Sequence, residues 1–224
     1  MGYIKWLGHA AFEIEIDGKI LYIDPWITNP MSPVKLADIS RADLVLVTHD
    51  HDDHLGEAID VVKKTGAKFI SVYELTQYAI SQGVPEDKAI AMNIGGVMVV
   101  DGIEVIMVPA HHSCTRGTPC GFIVRGKECS VYHAGDTGIV HEMSIIRELY
   151  PIDIALLPIG SVFTMDPRQA AKFTEILRPK VVIPMHYNTF PVIRQDPELF
   201  KRLVKEKVPE VEVVILKPGE VYRF

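Results

Sequence analysis

The stretch Thr48–His54 constrains this chain more than any other part of its sequence. It reads Thr-His-Asp-His-Asp-Asp-His and directly follows Leu44–Val47, a run of apolar residues. A short, uninterrupted apolar run predicts a strand that is buried on both faces, as in a parallel sheet. The carboxyl ends of such strands are where α/β proteins place ligand-binding groups. The sequence therefore predicts a buried strand with a polar site at its end.

The histidines and aspartates of this stretch indicate a metal site. His49 and His51 lie two positions apart in an extended segment, so their side chains point to the same side and can bind one ion. Asp53 and His54 lie where the chain turns into a helix and can face a second ion. Imidazole and carboxylate together suit zinc, iron, manganese or nickel. A solvated charge cluster, the alternative, does not account for this spacing of histidines behind a core strand.

Three later apolar strands also end close to potential ligands. They are Ile103–Val108 before His111 and His112, Ser130–His133 before Asp136, and Val181–Pro184 before His186. Neighbouring residues in an extended segment point opposite ways, so only one of His111 and His112 is expected to reach the metal. The repeated placement predicts that several strand ends contribute ligands to one site.

Length and composition predict an ordinary globular protein. The chain has 224 residues, of which 48% are apolar and 23% charged. We expect a single domain over residues 1–224, with roughly twelve strands and five helices. The net charge of -6 argues against nucleic acid or an anionic membrane as a partner. The expected partner is a small-molecule substrate. The sequence is also compatible with assembly into a homo-oligomer.

No targeting or spanning segment is predicted. The first residues show neither the charged region nor the apolar core of a signal peptide. The most apolar stretch, residues 95–110, is interrupted by Asp101 and Glu104, so it does not resemble a transmembrane helix. These features predict a cytoplasmic protein.

The order of the motifs resembles that of the metallo-β-lactamase superfamily. His49-x-His51-x-Asp53-His54 is followed by a histidine after a Pro-Ala turn, by a Gly-Asp-Thr and by a late histidine. Four segments further resemble a group of small metal-dependent hydrolases that is similar to the ascorbate-6-phosphate lactonases: Gly8–Ala10, Ile23–Pro25, Tyr132–Gly138 and Pro184–Tyr187. The resemblance implies an α/β (α+β) fold, a four-layered αβ/βα sandwich with a dinuclear site along one edge.

The resemblance also implies which residues bind the ions. One ion would be held by His49, His51 and a third histidine, and the other by Asp53, His54 and His186, with Asp136 bridging both. The family pattern Pro-Ala-x-His favours His112 as the third histidine, which leaves His111 at the rim of the site. The implied cofactors are two divalent ions, with zinc as the first choice and manganese, iron or nickel as alternatives.

A dinuclear site of this kind implies a hydrolytic reaction. Two cations lower the pKa of a shared water from ~15.7 toward ~7, which makes a bridging hydroxide available as the nucleophile. The expected substrate is a small anionic molecule with an ester, lactone or phosphodiester bond. Asp53 can accept the proton of the hydroxide, which makes it the candidate catalytic base. A purely structural role as a ligand is the alternative.

Other polar residues are expected near the ligands. Asp24 ends the third short strand and would orient a ligand histidine by accepting its other ring N–H, although it could instead cap the turn before Pro25. His9 and His133 would brace a ligand or contact substrate, or be ordinary core histidines. The remaining candidates, Arg116 and Arg194 for binding a substrate anion and Cys114 as a nucleophile, each have a plain surface or loop role as the alternative.

Three other functions are compatible with parts of this pattern. A transfer-RNA-processing nuclease shares the ligand set, but the acidic chain shows no basic arm for RNA. A mononuclear iron protein of the dioxygenase type is the second, and the Asp53-His54 pair together with Asp136 favours two metals over it. A non-enzymatic metal-binding protein is the third, and the sequence lacks none of the implied ligands.

Overall fold

The computed structural model describes residues 2–224, which form two compact units. The first unit contains the residues up to Ile94 together with Ser113–Pro119 and Lys217–Phe224. The second contains Gly95–His112 and Cys120–Leu216. Each unit is built around one seven-stranded sheet. The expectation of a single domain over residues 1–224 stays a prediction.

The strands and helices are numbered in chain order. The strands are β1 Tyr3–Trp6, β2 Phe12–Ile16, β3 Lys19–Ile23, β4 Leu44–Leu46, β5 Lys68–Val72, β6 Ala89–Met92, β7 Val97–Val100, β8 Ile103–Pro109, β9 Cys120–Arg125, β10 Ser130–His133, β11 Ile154–Pro158, β12 Val181–Met185, β13 Glu212–Val213 and β14 Val221–Arg223. The α-helices of residues 2–224 are α1 Asp52–Leu55, α2 Ala58–Thr65, α3 Tyr73–Ser81, α4 Met143–Leu149, α5 Pro167–Leu177 and α6 Pro197–Lys207.

The sheet of the first unit changes from antiparallel to parallel at β3. Its strand order is β14-β1-β2-β3-β4-β5-β6, with antiparallel pairs up to β3 and parallel pairs from β3 to β6. The Asp17-Gly18 sequence predicts a tight hairpin turn, and these residues form the turn between β2 and β3 with φ angles of 51° and 77°, as a type I′ turn requires. All three residues of β4 are buried, which confirms the predicted core strand. Thr48–His54 begins two residues beyond its end.

A break at Gly56 divides the helical region after β4 into two helices. The sequence predicts one helix from about Leu55 to Lys64, whereas α1 ends at Leu55 and α2 begins at Ala58. Gly56 has a φ of 41°, and a Cβ at this position would lie 2.4 Å from the Cα of Trp26. Glycine is therefore the residue that fits this close approach, and the break fixes α1 as a single turn that carries Asp53 and His54.

The sheet of the second unit shows the same change at β10. Its order is β13-β12-β11-β10-β9-β8-β7, antiparallel from β7 to β10 and parallel from β10 to β13. Asp166 and Gln169 form a capping box at the start of α5, and Asp196 caps α6, as their Asp-Pro sequences predict. On the helix side of this sheet, Tyr132 packs edge-on against Phe173 of α5. His133, the next residue along β10, therefore projects from the other face.

The end of the chain differs from the prediction. The sequence predicts one closing strand at Val211–Leu216, but β13 contains only Glu212 and Val213. The chain then adds β14, which pairs antiparallel with β1 in the sheet of the first unit. Pairing over so long a sequence separation leaves no local pattern from which it could be predicted. Among residues 2–224, no helix has the length and apolar character needed to cross a membrane.

Candidate metal centre

His49 and His51 bring two ring nitrogens close together at the end of β4. Nε2 of His49 lies 3.0 Å from Nδ1 of His51, and the two rings meet edge-on. Two nitrogens that bind one tetrahedral zinc ion are about 3.3 Å apart, because each Zn–N bond is about 2.05 Å. The spacing of this pair therefore fits shared coordination of one ion. His54 lies beside them, with its ring centroid 4.2 Å from that of His49.

Asp24 is a buried carboxylate that holds His54 and the start of the histidine stretch. Its Oδ2 accepts the Nδ1–H of His54 at 2.7 Å and the hydroxyl of Thr48 at 2.7 Å. Its Oδ1 accepts the backbone N–H of Thr48 at 2.8 Å. The bond to the carboxylate assigns the imidazole proton to Nδ1, so Nε2 is the nitrogen suited to binding a metal. Metal-ligating histidines characteristically make such a bond to a carboxylate.

His9 contacts the candidate base. Its Nε2 lies 3.0 Å from Oδ2 of Asp53, and its buried ring packs edge-on against Trp26. The backbone of His9 has a φ of 52°, an uncommon value for a residue with a side chain. The ligand atoms of His9, Asp53 and His54 all lie within 4.8 Å of one another. The structure thus places His9 in contact with Asp53, within a group of side chains that could hold a metal ion.

The second unit brings Asp136 between two histidines. Oδ2 of Asp136 lies 3.0 Å from Nε2 of His186 and 3.6 Å from Nε2 of His112. Asp136 is buried beyond the end of β10, and His186 follows the parallel strand β12. A carboxylate between two imidazoles is a donor set that suits a divalent transition ion. The side chains that follow β8, β10 and β12 therefore lie close together in this unit, in agreement with the strand-end pattern of the sequence.

The two adjacent histidines have different environments. The backbone N–H of His111 donates to the hydroxyl of Thr137, and its ring Nδ1 lies 3.1 Å from the carbonyl oxygen of Ile139. The His111 side chain is exposed, whereas the ring of His112 is directed to Asp136. The structure thus brings His112, and not His111, close to the carboxylate of Asp136.

His133 lies in the core beside a turn. Its Nδ1 accepts the backbone N–H of Gly135 at 3.1 Å, and the side chain is fully buried. This bond braces the turn that leads to Asp136. The two sequence-based interpretations of His133, a brace for the site and a hydrogen-bonded core histidine, therefore describe the same local contact.

Asp50 and Arg116 form an ion pair in the first unit that the sequence pattern did not predict. Asp50 has a side chain that is 0% exposed, and its Oδ2 lies 2.8 Å from Nη1 of Arg116. Its Oδ1 accepts the backbone N–H of Thr115 at 2.8 Å, and the guanidinium lies 4.0 Å from the centre of the Tyr78 ring. One nitrogen of the Arg116 guanidinium is thus paired within the protein, while the side chain is 39% exposed. The sequence signal that could have indicated this ion pair was an aspartate between two histidines directly after a core strand.

The cysteine in the same loop is not prepared for nucleophilic chemistry. Burial and the nearby Asp50 carboxylate raise the pKa of the Cys114 thiol. A thiol with a raised pKa holds less thiolate at neutral pH, and thiolate is the nucleophilic form. The structure therefore supports the loop role of Cys114. Arg194 lies exposed in the loop after β12.

These features define an α/β protein with a donor set for divalent metals at the strand ends of each unit. The chain matches the family model of the beta-lactamase superfamily domain over residues 3–186. It therefore belongs to the metallo-β-lactamase superfamily, which confirms the predicted family and fold class.

The chain is also similar to particular proteins over its whole length. A UPF0173 metal-dependent hydrolase from Hyperthermus butylicus is 56% identical over 229 residues, which covers 100% of both chains. A protein of the same name from Caldivirga maquilingensis is 54% identical over 223 residues, covering 99% of this chain and 97% of the relative. Igni18, described as a novel metallo hydrolase from Ignicoccus hospitalis, has a solved structure with a TM-score of 0.92 and 44% identity, covering 100% of this chain and 99% of that one.

Proposed function

We propose that this protein is a metal-dependent hydrolase whose donor residues serve one dinuclear centre. In this proposal His49, His51 and His112 would hold one ion, Asp53, His54 and His186 would hold the other, and Asp136 would be shared by both. Relatives that are 56% and 54% identical over nearly their full length carry the name metal-dependent hydrolase. The proposed ions are divalent, with zinc as the first choice.

The observation that carries the proposal is the position of the Asp136 carboxylate. Its Oδ2 lies within 3.0 Å of one imidazole nitrogen and 3.6 Å of another, at a site where the side chain is only 3% exposed. A buried carboxylate so close to two histidines is expensive unless cations or protons balance its charge. Bound cations would meet that requirement.

When bound, divalent ions supply Lewis-acid polarisation and activated water near neutral pH. The residues of the chain hold the groups that work with them. Asp24 fixes the tautomer and orientation of His54, and His9 holds one carboxylate oxygen of Asp53 at 3.0 Å. In addition to holding the ion, the Asp53 carboxylate would take up the proton released during attack. We therefore propose Asp53 as the general base and His9 as the residue that orients it.

The proposed substrates are small anionic molecules with an ester, lactone or phosphodiester bond. In each of these bonds, attack by water develops negative charge on a carbonyl or phosphoryl oxygen. A cationic centre stabilises that charge, and such electrostatic stabilisation is usually the largest contribution to catalysis. The same residues thus serve all three bond types, and the surrounding loops select among them.

Metal content per chain tests the proposal directly. We expect about two divalent ions per chain in the wild-type protein purified without chelator, as a dinuclear centre requires. The variant Asp136→Ala should retain one ion or fewer, while Glu210→Ala, which removes an exposed carboxylate in the same unit, should retain both. One ion or none in the wild-type protein, with none regained when zinc is added, would overturn the dinuclear proposal. Hydrolysis of lactones and phosphodiesters by the loaded protein then tests the reaction.

A further inference from the structure

The loop between β11 and α5 presents apolar side chains on a strained backbone. Ser161 and Val162 are consecutive residues with φ angles of 62° and 61°, and the N–H of Phe163 bonds to the carbonyl of Ser161 at 2.6 Å. A β-branched residue in this left-handed region is a steric outlier. Val162 is nevertheless 66% exposed and Phe163 is 56% exposed. The strain therefore is not compensated by burial of these two side chains.

This loop is held by the segments that carry Asp136 and His186. The N–H of Met165 donates to the carbonyl of Thr137, next to Asp136, at 3.0 Å. On the other side, a Cβ at Gly160 would lie 2.2 Å from the carbonyl oxygen of His186, so the two backbones are in close contact. The exposed apolar side chains thus stand on a loop that is fixed beside the metal ligands of the second unit.

A second loop, which follows His186, adds two more exposed apolar residues. Phe190 is 37% exposed and Val192 is 53% exposed. The loop is internally bonded, because Asn188 donates its N–H to the carbonyl of Ile193. The side chain of Gln195 reaches the carbonyl of Gly160 at 3.4 Å, which joins the two loops. We define Val162, Phe163, Phe190 and Val192 as the apolar rim.

We infer that the apolar rim binds an aliphatic or aromatic part of the substrate next to the bond that is cleaved. This inference rests on the proposed hydrolase function and adds a substrate class to it. Backbone strain that is maintained beside a candidate site points to a functional requirement. The occupant is a small amphipathic molecule, in which an anionic or ester end would reach the cations proposed at Asp136 and His186 and an alkyl or aryl group covers the rim. Purely polar substrates leave the rim in water.

Binding of a carboxylate series tests the rim without relying on turnover. Acetate, butanoate, hexanoate and octanoate are titrated into the zinc-loaded wild-type protein by calorimetry. Complete burial of one methylene strengthens binding about fourfold, so a partly open rim should give about twofold per methylene. Octanoate is therefore expected to bind tens of times more tightly than acetate. Equal affinity for all four acids, or no binding of octanoate, would overturn the inference.

Variants locate the effect on the rim. Phe163→Ser should remove most of the dependence of affinity on chain length, so that octanoate binds only a few times more tightly than acetate. Val162→Gly should weaken octanoate binding too, and should raise the melting temperature because glycine relieves the left-handed strain. The control Val99→Ser changes a residue of β7 that is 65% exposed and should leave the series as in the wild type. An equal loss in Val99→Ser would contradict a specific rim.

Two further results separate this inference from its alternatives. If Phe163→Ser changes the sedimentation coefficient from that of a dimer to that of a monomer and leaves the carboxylate series unchanged, the rim is an interface between two copies and the inference is wrong. γ-Butyrolactone and its longer 4-alkyl homologues are assayed for hydrolysis in parallel. If carboxylate affinity rises with chain length but no lactone or phosphodiester is hydrolysed, the proposed reaction is wrong and the inferred role of the apolar rim is supported.

Discussion

Oδ2 of Asp24 lies 2.7 Å from Nδ1 of His54, and neither side chain is exposed to solvent. The same oxygen also accepts the hydroxyl of Thr48. One carboxylate thus fixes both the beginning of the histidine stretch and its last histidine. Because the proton of His54 is assigned to Nδ1, its Nε2 is the ring nitrogen left to bind the proposed ion.

The variant Asp24→Asn is expected to weaken zinc binding about 10- to 100-fold. Its amide group cannot accept all three hydrogen bonds that the carboxylate accepts. Asparagine tolerates the φ of 47° at this position, so the backbone should stay in place. Competition with a chelating dye gives the affinity. Asp17→Asn, at a φ of 51° in the β2–β3 turn, is the matched control and should bind zinc as the wild type does.

The variant Gly160→Ala should lose metal and stability together. The new methyl group would lie 2.2 Å from the carbonyl oxygen of His186, which forces that ligand segment to move. We expect a loss of roughly 1–3 kcal/mol in the free energy of unfolding. Gly138→Ala, whose Cβ would meet no heavy atom within 4 Å, should change neither quantity. Urea unfolding and elemental analysis measure the two effects, and an unaltered zinc content in Gly160→Ala would contradict the expected displacement.

Removal of Arg116 should destabilise the first unit. In Arg116→Ala the buried carboxylate of Asp50 keeps the N–H of Thr115 but loses its cation. Because the arginine is 39% exposed, solvent screens part of the loss, and we expect roughly 1–2 kcal/mol. The exposed pair of Arg41 with Asp43 provides the control, since Arg41→Ala should cost less than about 1 kcal/mol. Equal losses in urea unfolding would show that burial of Asp50 adds nothing.

Stability in acid should depend on Asp153. Burial by itself would raise the pKa of this carboxyl, but a hydrogen bond from Lys180 and others from Ser130 outweigh burial and lower it. A lowered pKa in the folded state stabilises the protein above the pKa of the unfolded chain, and this contribution is lost as pH falls through the lowered value. The variant Asp153→Asn lacks it at every pH.

Urea unfolding of both proteins between neutral pH and pH 3 measures this contribution. The wild type should be more stable than Asp153→Asn above about pH 5, and the difference should shrink as the solution becomes more acidic. A difference that stays constant across this range would contradict the assigned cause. Glu210→Gln, at an exposed carboxylate, provides a reference for removal of a charge at the surface.

Local patterns predicted the elements that depend on neighbouring residues. The apolar run at β4 predicted a buried strand, Asp17 and Gly18 predicted the tight turn, and Asp166 with Pro167 predicted the start of α5. In each case the physical cause, whether burial, backbone conformation or capping, acts within a few residues. The division at Gly56 was missed because its cause is contact with Trp26, thirty positions earlier in the chain.

The sequence by itself determined that strand ends would carry histidines and aspartates, because apolar runs followed by such residues can be read directly along the chain. Only the tertiary structure decided which of them meet. Asp24 reaches His54 because β3 and β4 are parallel neighbours, and Asp136 reaches His186 because β10, β11 and β12 are parallel neighbours in their sheet. Strand order is set by packing of the whole chain, so contacts between residues far apart in the sequence cannot be derived from local spacing.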